Sequence, residues 1–257
     1  MKRIFGVFLL CALTVLTTFT ANAAPAALNW YCTRQKDHKQ MIAAPELRFI
    51  EEYDGYYIDH KHDEKNVDKV VYLTFDAGYE NGNVEKILDT LKQKEAVGAF
   101  FVLEHFVRAN HDLARRINNE GHLLCNHTAK HSDLARANSA AIRAEIKELE
   151  QACCELDLTL SPYFRPPEGS FSKEMMQSVM ELGYKTVFWS FAYADWDNAK
   201  QPEVEKAYHC IMDNVHNGAV LLLHPTSATN AEVLPRVIDD LRALGYRFGS
   251  LEELCGA

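Results

Sequence analysis

Charged and imidazole side chains follow five short apolar runs of the sequence, each near the point where the run ends. They are Asp76, the pair His127 and His131, Arg165, Asp195 with its neighbour Trp196, and His224. In parallel α/β proteins the chemistry takes place where strands end and pass into loops. These residues therefore predict one convergent polar site, suited to acid–base and metal-assisted chemistry.

The histidine pair has the His-x-x-x-His spacing that lets two imidazoles share a metal ion on one helical turn. By itself, such a pair is more often two surface histidines than a ligand pair. Its place at a strand end, on the same predicted rim as Asp76 and His224, favours a metal site.

The remaining candidates also have structural interpretations. Asp76 could cap the following helix, but Asn81–Asn83 is better placed for that role. His224 could be a buried core histidine, and Arg165 could be a surface anchor. Pro166-Pro167 stiffens the loop after Arg165, which suits holding a guanidinium against a carboxylate.

The apolar runs alternate with amphipathic helical stretches from about Val70 onward. The seven runs are Val70–Phe75, Ala99–Leu103, His122–Cys125, Tyr163–Arg165, Lys185–Ser190, Ala219–Leu223 and Tyr246–Gly249. Two stretches each place five apolar residues on one helical face: Ile142, Ile146, Leu149, Cys153 and Leu156, then Leu234, Val237, Ile238, Leu241 and Leu244. The glycines at 98, 121, 183, 218 and 245 are predicted to end helices in the left-handed conformation. Repeated strand–helix units predict a parallel sheet covered by helices, either open or a barrel, and seven strands favour the barrel.

Two segments precede this pattern. Residues 1–23 are typical of a signal peptide, with basic Met1-Lys2-Arg3, an apolar stretch to Phe19 and the small-x-small site Ala21-Asn22-Ala23. The apolar stretch is short for a membrane span, and an uncleaved anchor is the alternative. We therefore expect an exported protein without a stable membrane anchor. Residues 24–69 lack sustained periodicity and are predicted to be an N-terminal arm packed on a catalytic domain of residues 70–257.

The composition is that of a globular protein, with 47% hydrophobic and 25% charged residues. The net charge of −9 and the absence of a Lys/Arg run argue against a nucleic-acid partner. Six cysteines follow residue 23; they permit disulfides without fixing the pairing. The sequence has no C-x-x-C pair, so a cysteine zinc site is not expected.

Five motifs together resemble the polysaccharide deacetylase family (carbohydrate esterase family 4, NodB-like). They are Thr-Phe-Asp at 74–76, His-x-x-x-His at 127–131, Arg-Pro-Pro-x-Gly at 165–169, Asp-Trp at 195–196 and Leu-Leu-His at 222–224. The segment Tyr72–Gly82 is most similar to the delta-lactam-biosynthetic, PdaA-like branch of peptidoglycan N-acetylmuramic acid de-N-acetylases. The resemblance spans essentially the whole chain after the signal peptide. It implies an α/β fold, a distorted (β/α) barrel of about seven parallel strands.

The resemblance also implies roles in hydrolysing an N-acetyl group. Asp76 would be the general base and His224 the general acid, while Arg165 would orient Asp76 and Asp195 would pair with His224. His127 and His131 would bind a divalent metal ion, with zinc as the first expectation. The family's third ligand, an aspartate, is replaced here by Ala77, so weak metal binding is expected.

Substrate contacts are predicted around the same rim. The loop Gly78–Gly82 offers Tyr79 as a stacking face and Asn81 as an amide, although Asn81-Gly82 could instead only turn the chain into the next helix. Pro166 and Trp196 complete the predicted contacts.

The leading hypothesis is deacetylation of N-acetylmuramic acid in peptidoglycan, forming muramic delta-lactam in spore cortex. One alternative is an N-acetylglucosamine or chitooligosaccharide deacetylase. The other is a glycan-binding homologue that has lost hydrolysis through Ala77.

Overall fold

The computed structural model describes residues 26–256, so the predicted signal peptide at 1–23 lies outside the described residues. The strands are β1 (Leu28–Asn29), β2 (Gly55–Tyr56), β3 (Lys69–Ala77), β4 (Gly98–Val102), β5 (Leu123–Asn126), β6 (Tyr163–Phe164), β7 (Ser170–Phe171), β8 (Lys185–Val187), β9 (Ala219–Leu223) and β10 (Tyr246–Phe248). The α-helices are α1 (Asn83–Gln93), α2 (Glu104–Ala109), α3 (His111–Asn119), α4 (Ser139–Glu155), α5 (Lys173–Glu181), α6 (Val204–Met212), α7 (Ala228–Ala243) and α8 (Leu251–Cys255). Two 3-10 helices span Pro45–Tyr53 and Pro167–Gly169.

All seven predicted strands are present, and they form a curled parallel sheet. The long strand β3 pairs with β9 along one edge and with β10 and then β4 along the other. Strands β5, β6, β8 and β2 continue the sheet beyond β4. Single bridges from Phe191 to Leu221 and from Ile58 to Ala219 connect β9 with the far end of the sheet. The predicted (β/α) barrel is therefore confirmed, in the form of a curled half-barrel with helices outside.

Side-chain alternation along the strands divides the core into two layers. The layer inside the curl contains Val70, Tyr72, Ala99, Phe101, Cys125, Tyr163, Val187 and Val220, together with Leu251, Leu254 and Cys255. The last three residues belong to α8, which closes the N-terminal end of the curl. The alternate residues of β3, including Val71, Leu73 and Phe75, pack outward against the helices. This arrangement leaves the C-terminal end of the curl for Thr74 and Asp76, the inward residues at the other end of β3.

The predicted helical faces are buried in α4 and α7 except at the last residue of each. Leu156, the C-cap of α4, is only partly buried. Leu244 is 53% exposed because α7 ends at Ala243 and residue 244 is its C-cap. The prediction for Gly98 is also wrong. Gly98 lies inside β4 without a positive φ, where a Cβ would approach the Phe75 ring to 2.9 Å, and Glu95 takes the left-handed conformation instead (φ 48°).

The described part of the N-terminal arm adds β1, antiparallel to β7, and β2, parallel to β8. Its 3-10 helix buries Leu47 and Ile50, whose spacing of three residues matches the three-residue turn of that helix. This spacing is too short a signal to stand out as helical periodicity.

Two further observations concern membrane-spanning helices and the cysteines. No helix among the described residues is both long and apolar enough to cross a membrane. The six cysteines between residues 26 and 256 are all free thiols.

Candidate active site

Asp76 and Arg165 form an ion pair at the C-terminal end of the curled sheet. Asp76 is the penultimate residue of β3, and Arg165 directly follows β6. Nη1 of Arg165 donates to Oδ1 of Asp76 over 2.8 Å. Burial is the largest single effect and would raise the pKa of Asp76, but the charges of Arg165, His127 and His224, with the Arg165 hydrogen bond, together outweigh it. The pKa of Asp76 therefore lies below its usual range, and the carboxylate is ionised.

The guanidinium of Arg165 is fully buried and nearly all of its hydrogen-bonding capacity is used. Nε donates to the Val187 carbonyl (2.8 Å), and Nη2 donates to the Phe188 carbonyl (3.1 Å) and to Oγ1 of Thr74 (2.9 Å). The face of the guanidinium lies 4.1 Å from the centroid of the Phe101 ring. These contacts fix the plane of the guanidinium, and therefore the carboxylate of Asp76.

The two histidines lie beside this ion pair, but not on a helix. Residues 127–131 form a loop in which Thr128 and His131 have positive φ angles of 72° and 60°, so the predicted helical turn is wrong. The backbone N–H of His131 donates to Oγ1 of Thr128 (2.9 Å), which stabilises this conformation. The loop nevertheless brings the two rings within 5.1 Å of each other, centroid to centroid.

The tautomer of His127 is set by its surroundings. Nδ1 lies 2.8 Å from the carbonyl oxygen of Arg165, and because a carbonyl only accepts, Nδ1 carries the proton. The lone pair is therefore on Nε2, which lies 3.7 Å from Oδ2 of Asp76. Burial lowers the pKa of His127 to about 4, against the opposing effect of the Asp76 charge. His127 is thus neutral, the form that binds metal.

This donor set fits a divalent ion, although the protein supplies few ligands. Nε2 of His127 is free and oriented, the His131 ring is adjacent, and the Asp76 carboxylate faces the same space. Within residues 26–256, no three His, Cys, Asp or Glu side chains are grouped closely enough to hold an ion alone. Ala77 is fully buried among apolar residues and adds no ligand. Water or substrate would complete the coordination.

Asp195 and His224 form a second charged pair at the same C-terminal end of the curled sheet, which we call the mouth. Oδ1 of Asp195 accepts from Nδ1 of His224 (2.7 Å), and Oδ2 accepts from the backbone N–H of His224 (2.8 Å). Burial would lower the pKa of His224, but the hydrogen bond and charge of Asp195, with the charge of Asp76, outweigh it. The pKa of His224 therefore lies above its usual range.

The predicted substrate contacts lie around this mouth. Trp196 is 61% exposed, and its ring centroid is 6.3 Å from that of His224. Tyr79 is also exposed and accepts a hydrogen bond from Asn198. Pro166 is buried, which does not suit its predicted role as a substrate contact. The amide nitrogen of Asn81 donates to the Thr226 carbonyl (2.8 Å), so this side chain joins two loops.

Three residues that support the site were missed by sequence reasoning. Thr74 contacts Arg165, and its place two residues before Asp76 on the same strand face could have indicated it. Oε2 of Glu145 accepts from the Lys130 N–H (3.0 Å), and Oε1 accepts from the Ser132 hydroxyl (2.8 Å); together these bonds hold the loop that carries His131. Asn230 contacts Asp195 from the first turn of α7. No local pattern points to the last two.

Known proteins are similar to this chain in sequence and in fold. A family model described as Polysaccharide deacetylase matches residues 63–187, and similarity to a known relative extends over 251 residues at 37% identity. The chain belongs to the polysaccharide deacetylase family. That relative, the peptidoglycan-N-acetylmuramic acid deacetylase PdaA of Bacillus subtilis (strain 168), is covered to 94%, and 95% of this chain is matched.

Solved structures agree with this assignment. The structure of Bacillus subtilis PdaA, a family 4 carbohydrate esterase, superposes with a TM-score of 0.83 over 89% of this chain and 96% of that chain. A family 4 carbohydrate esterase from Bacillus anthracis is 35% identical and has a TM-score of 0.72 over 90% and 98% of the two chains. A chitooligosaccharide deacetylase of Rhizobium leguminosarum bv. trifolii is 34% identical over 157 residues, 61% of this chain and 72% of the relative. Enzymes of this family are metal-dependent deacetylases.

Proposed function

We propose that this chain is an exported hydrolase that removes acetyl groups from the amino sugars of peptidoglycan. The observation that carries the proposal is the pair of charged couples at one end of the curl: Asp76 with Arg165, and His224 with Asp195. They provide an ionised carboxylate and a protonated imidazole around one open mouth, which are the base and the acid that amide hydrolysis requires. The similarity to PdaA supports the polymer.

In this proposal Asp76 is the general base. Its carboxylate is ionised, and Arg165 holds Oδ1, so Oδ2 is free to take a proton from the attacking water. His127 and His131 would hold the divalent ion, with zinc as our first choice, and the ion would polarise the acetyl carbonyl when bound. His127 is neutral and oriented for this purpose before any ligand arrives.

His224 is the general acid. Nδ1 is engaged by Asp195, so Nε2 is the nitrogen that can donate. When the carbon–nitrogen bond breaks, the departing amine takes the Nε2 proton, while the Nδ1 proton remains in the hydrogen bond with Asp195. The raised pKa of His224 keeps this proton available near neutral pH.

The finer proposal is that the sugar is N-acetylmuramic acid, within spore cortex. Two observations support it: the first-motif segment Tyr72–Gly82 and the identity with PdaA over nearly the whole chain. Tyr79 lies exposed at the mouth and is the candidate for contact with the lactyl side of the sugar. Because the Asn81 amide nitrogen is used on Thr226, replacing Asn81 should disturb the loop rather than one substrate contact.

The second candidate is a deacetylase of N-acetylglucosamine oligomers, which the similarity to the Rhizobium chitooligosaccharide deacetylase favours. Incubation with purified peptidoglycan and with chitooligosaccharides, followed by mass spectrometry of muropeptides and products, separates the two. We expect loss of one acetyl group from muramic acid residues. Preference for chitooligosaccharides would move the protein to the second candidate, and glycan binding without acetate release would favour the glycan-binding alternative.

The variant Tyr79→Ala tests the muramic acid proposal on the same two substrates. Under the muramic acid proposal it should weaken turnover of peptidoglycan far more than turnover of chitooligosaccharides. Equal loss on both substrates would make Tyr79 part of the scaffold only.

A further inference from the structure

Asn230 is the third residue of α7, and its side chain is fully buried against Asp195 and His224. Its amide nitrogen donates to Oδ2 of Asp195 (2.6 Å) and to the backbone carbonyl of His224 (3.0 Å). Its amide oxygen accepts from the hydroxyl of Tyr193. All of these partners lie outside α7.

The surroundings allow only one orientation of this amide. The Asp195 carboxylate and the His224 carbonyl are both acceptors, and the Tyr193 hydroxyl is the donor on the other side. A flipped amide would place its oxygen against two acceptors and its NH₂ group against the hydroxyl. The two acceptors therefore fix which end of Asn230 faces Asp195, and the Tyr193 hydroxyl holds the other end by donating to the amide oxygen.

Asn230 is also the independent support of the Asp195 carboxylate. Among its side-chain contacts, the other two come from Nδ1 and the backbone N–H of His224 itself. Without Asn230, Asp195 and His224 would remain bonded to each other but could shift together. The bond from Asn230 to the His224 carbonyl fixes the backbone of the acid at the same time.

The side chain of Asn230 does not cap α7. The N-cap is Ser227, whose hydroxyl accepts from the backbone N–H of Asn230 (3.0 Å). Ser227 thus serves the helix, while the side chain of Asn230 is directed away from it.

We propose that Asn230, anchored by Tyr193, is a positioning residue for the general acid, holding Asp195 and His224 as one rigid unit. This inference rests on the proposed acid role of His224. The proton that leaves is the one on Nε2, which passes to the amine nitrogen as the carbon–nitrogen bond breaks. Its transfer requires the imidazole to be held within a few tenths of an ångström of that nitrogen, and Asn230 supplies the constraint.

The test compares Asn230→Ala and Tyr193→Phe with the wild type on two substrates. An N-acetylated glycan needs a protonated leaving group, whereas an aryl acetate releases a phenolate that needs no proton. For Asn230→Ala we expect kcat on the glycan to fall about 10- to 100-fold with little change in KM, and the loss on the aryl acetate to be about tenfold smaller. Tyr193→Phe should show the same selectivity with a smaller loss, since the amide remains.

Asn217→Ala is the matched control. Asn217 is another buried asparagine, but it bonds backbone groups of residues 63–70 at the opposite end of β3. Its loss should lower the melting temperature and affect both substrates equally. If Asn230→Ala does not fold, Tyr193→Phe answers the same question.

A second readout needs no substrate. The Nδ1 proton of His224, bonded to Asp195, should give a low-field NMR signal that is absent in His224→Ala. We expect this signal to weaken or shift in Asn230→Ala and to be unchanged in Asn217→Ala. Equal proportional losses on the two substrates, or an unaltered His224 signal, would overturn the inference. A wild-type enzyme that releases no acetate from any glycan would contradict the proposed function instead, and the NMR signal would still test the positioning role.

Discussion

Replacing Arg165 by lysine should destabilise the protein although the charge is kept. Arg165 satisfies two buried backbone carbonyls, of Val187 and Phe188, as well as Thr74 and Asp76. A lysine carries its donors on one nitrogen at the end of the side chain. It therefore cannot replace the separate Nε donor of the arginine guanidinium. If the lysine ammonium pairs with Asp76, the carbonyls of Val187 and Phe188 both lose their hydrogen-bond donor.

The magnitude follows from those two carbonyls. Each buried acceptor left without a donor costs about 1–3 kcal/mol, so Arg165→Lys should lower the free energy of unfolding by about 2–6 kcal/mol. That is a large part of the roughly 5–15 kcal/mol that stabilises an ordinary domain. The carboxylate of Asp76 also loses its fixed plane, and a misplacement of about 1 Å can cost roughly 10²-fold in rate.

Urea unfolding followed by tryptophan fluorescence measures the first effect, and acetate release from peptidoglycan measures the second. Arg247→Lys is the control, because that arginine bonds the exposed carboxylates of Asp68 and Glu253, which water can solvate after the exchange. Thr74→Val removes a single acceptor of Arg165 and should lie between the two. An unfolding free energy for Arg165→Lys within about 1 kcal/mol of the wild type would refute the reasoning.

Four further predictions concern the chemistry. Asp76→Asn should abolish acetate release while circular dichroism shows a folded protein, because an amide cannot take the proton of water; residual wild-type activity would exclude Asp76 as base. His224→Ala should cost roughly 10²–10⁴ in kcat, and activity of the wild type should fall as the pH rises through the pKa of His224. Asp195→Asn removes the group that raises that pKa, so burial should move the alkaline limb of the pH–rate profile to lower pH; an unmoved limb would contradict the pairing. His127→Ala should weaken zinc binding at least about tenfold by calorimetry, and unchanged affinity would place the ion elsewhere.

The strands and the convergence of the polar residues at one rim could be predicted from local pattern and one general rule, whereas the pairing of Asp195 with His224 was implied by the family resemblance. Apolar runs define the strands, and the carboxyl ends of parallel strands meet at one edge, so Asp76 and Arg165 are brought together although 89 residues separate them. His224 directly follows β9, but Asp195 lies in the loop after β8, which ends at Val187, so the contact between them depends on how that loop folds.

What the sequence does not reveal depends on how loops fold. The conformation of residues 127–131 depends on two left-handed residues, Thr128 and His131, neither of which is glycine, so the helical spacing was misleading. Glu145 and Asn230 reach the site from helices, 13 and 35 residues away in sequence from the groups they hold. Side-chain contacts of this kind arise only when the tertiary structure forms.

The site keeps three neighbouring titratable groups in three different states at the same pH. Asp76 is ionised because Arg165, His127 and His224 together outweigh its burial, whereas His127 is neutral because burial outweighs the charge of Asp76. His224 is less enclosed, with 25% of its side chain exposed, and the hydrogen bond and charge of Asp195 help to raise its pKa. Each state has a different cause, and each is the form that its proposed role requires: a base that can accept a proton, a ligand with a free lone pair and an acid that can donate. Arg165 acts on the first two groups in different ways: its charge helps to keep Asp76 ionised, and its backbone carbonyl sets the tautomer of His127, which burial keeps neutral.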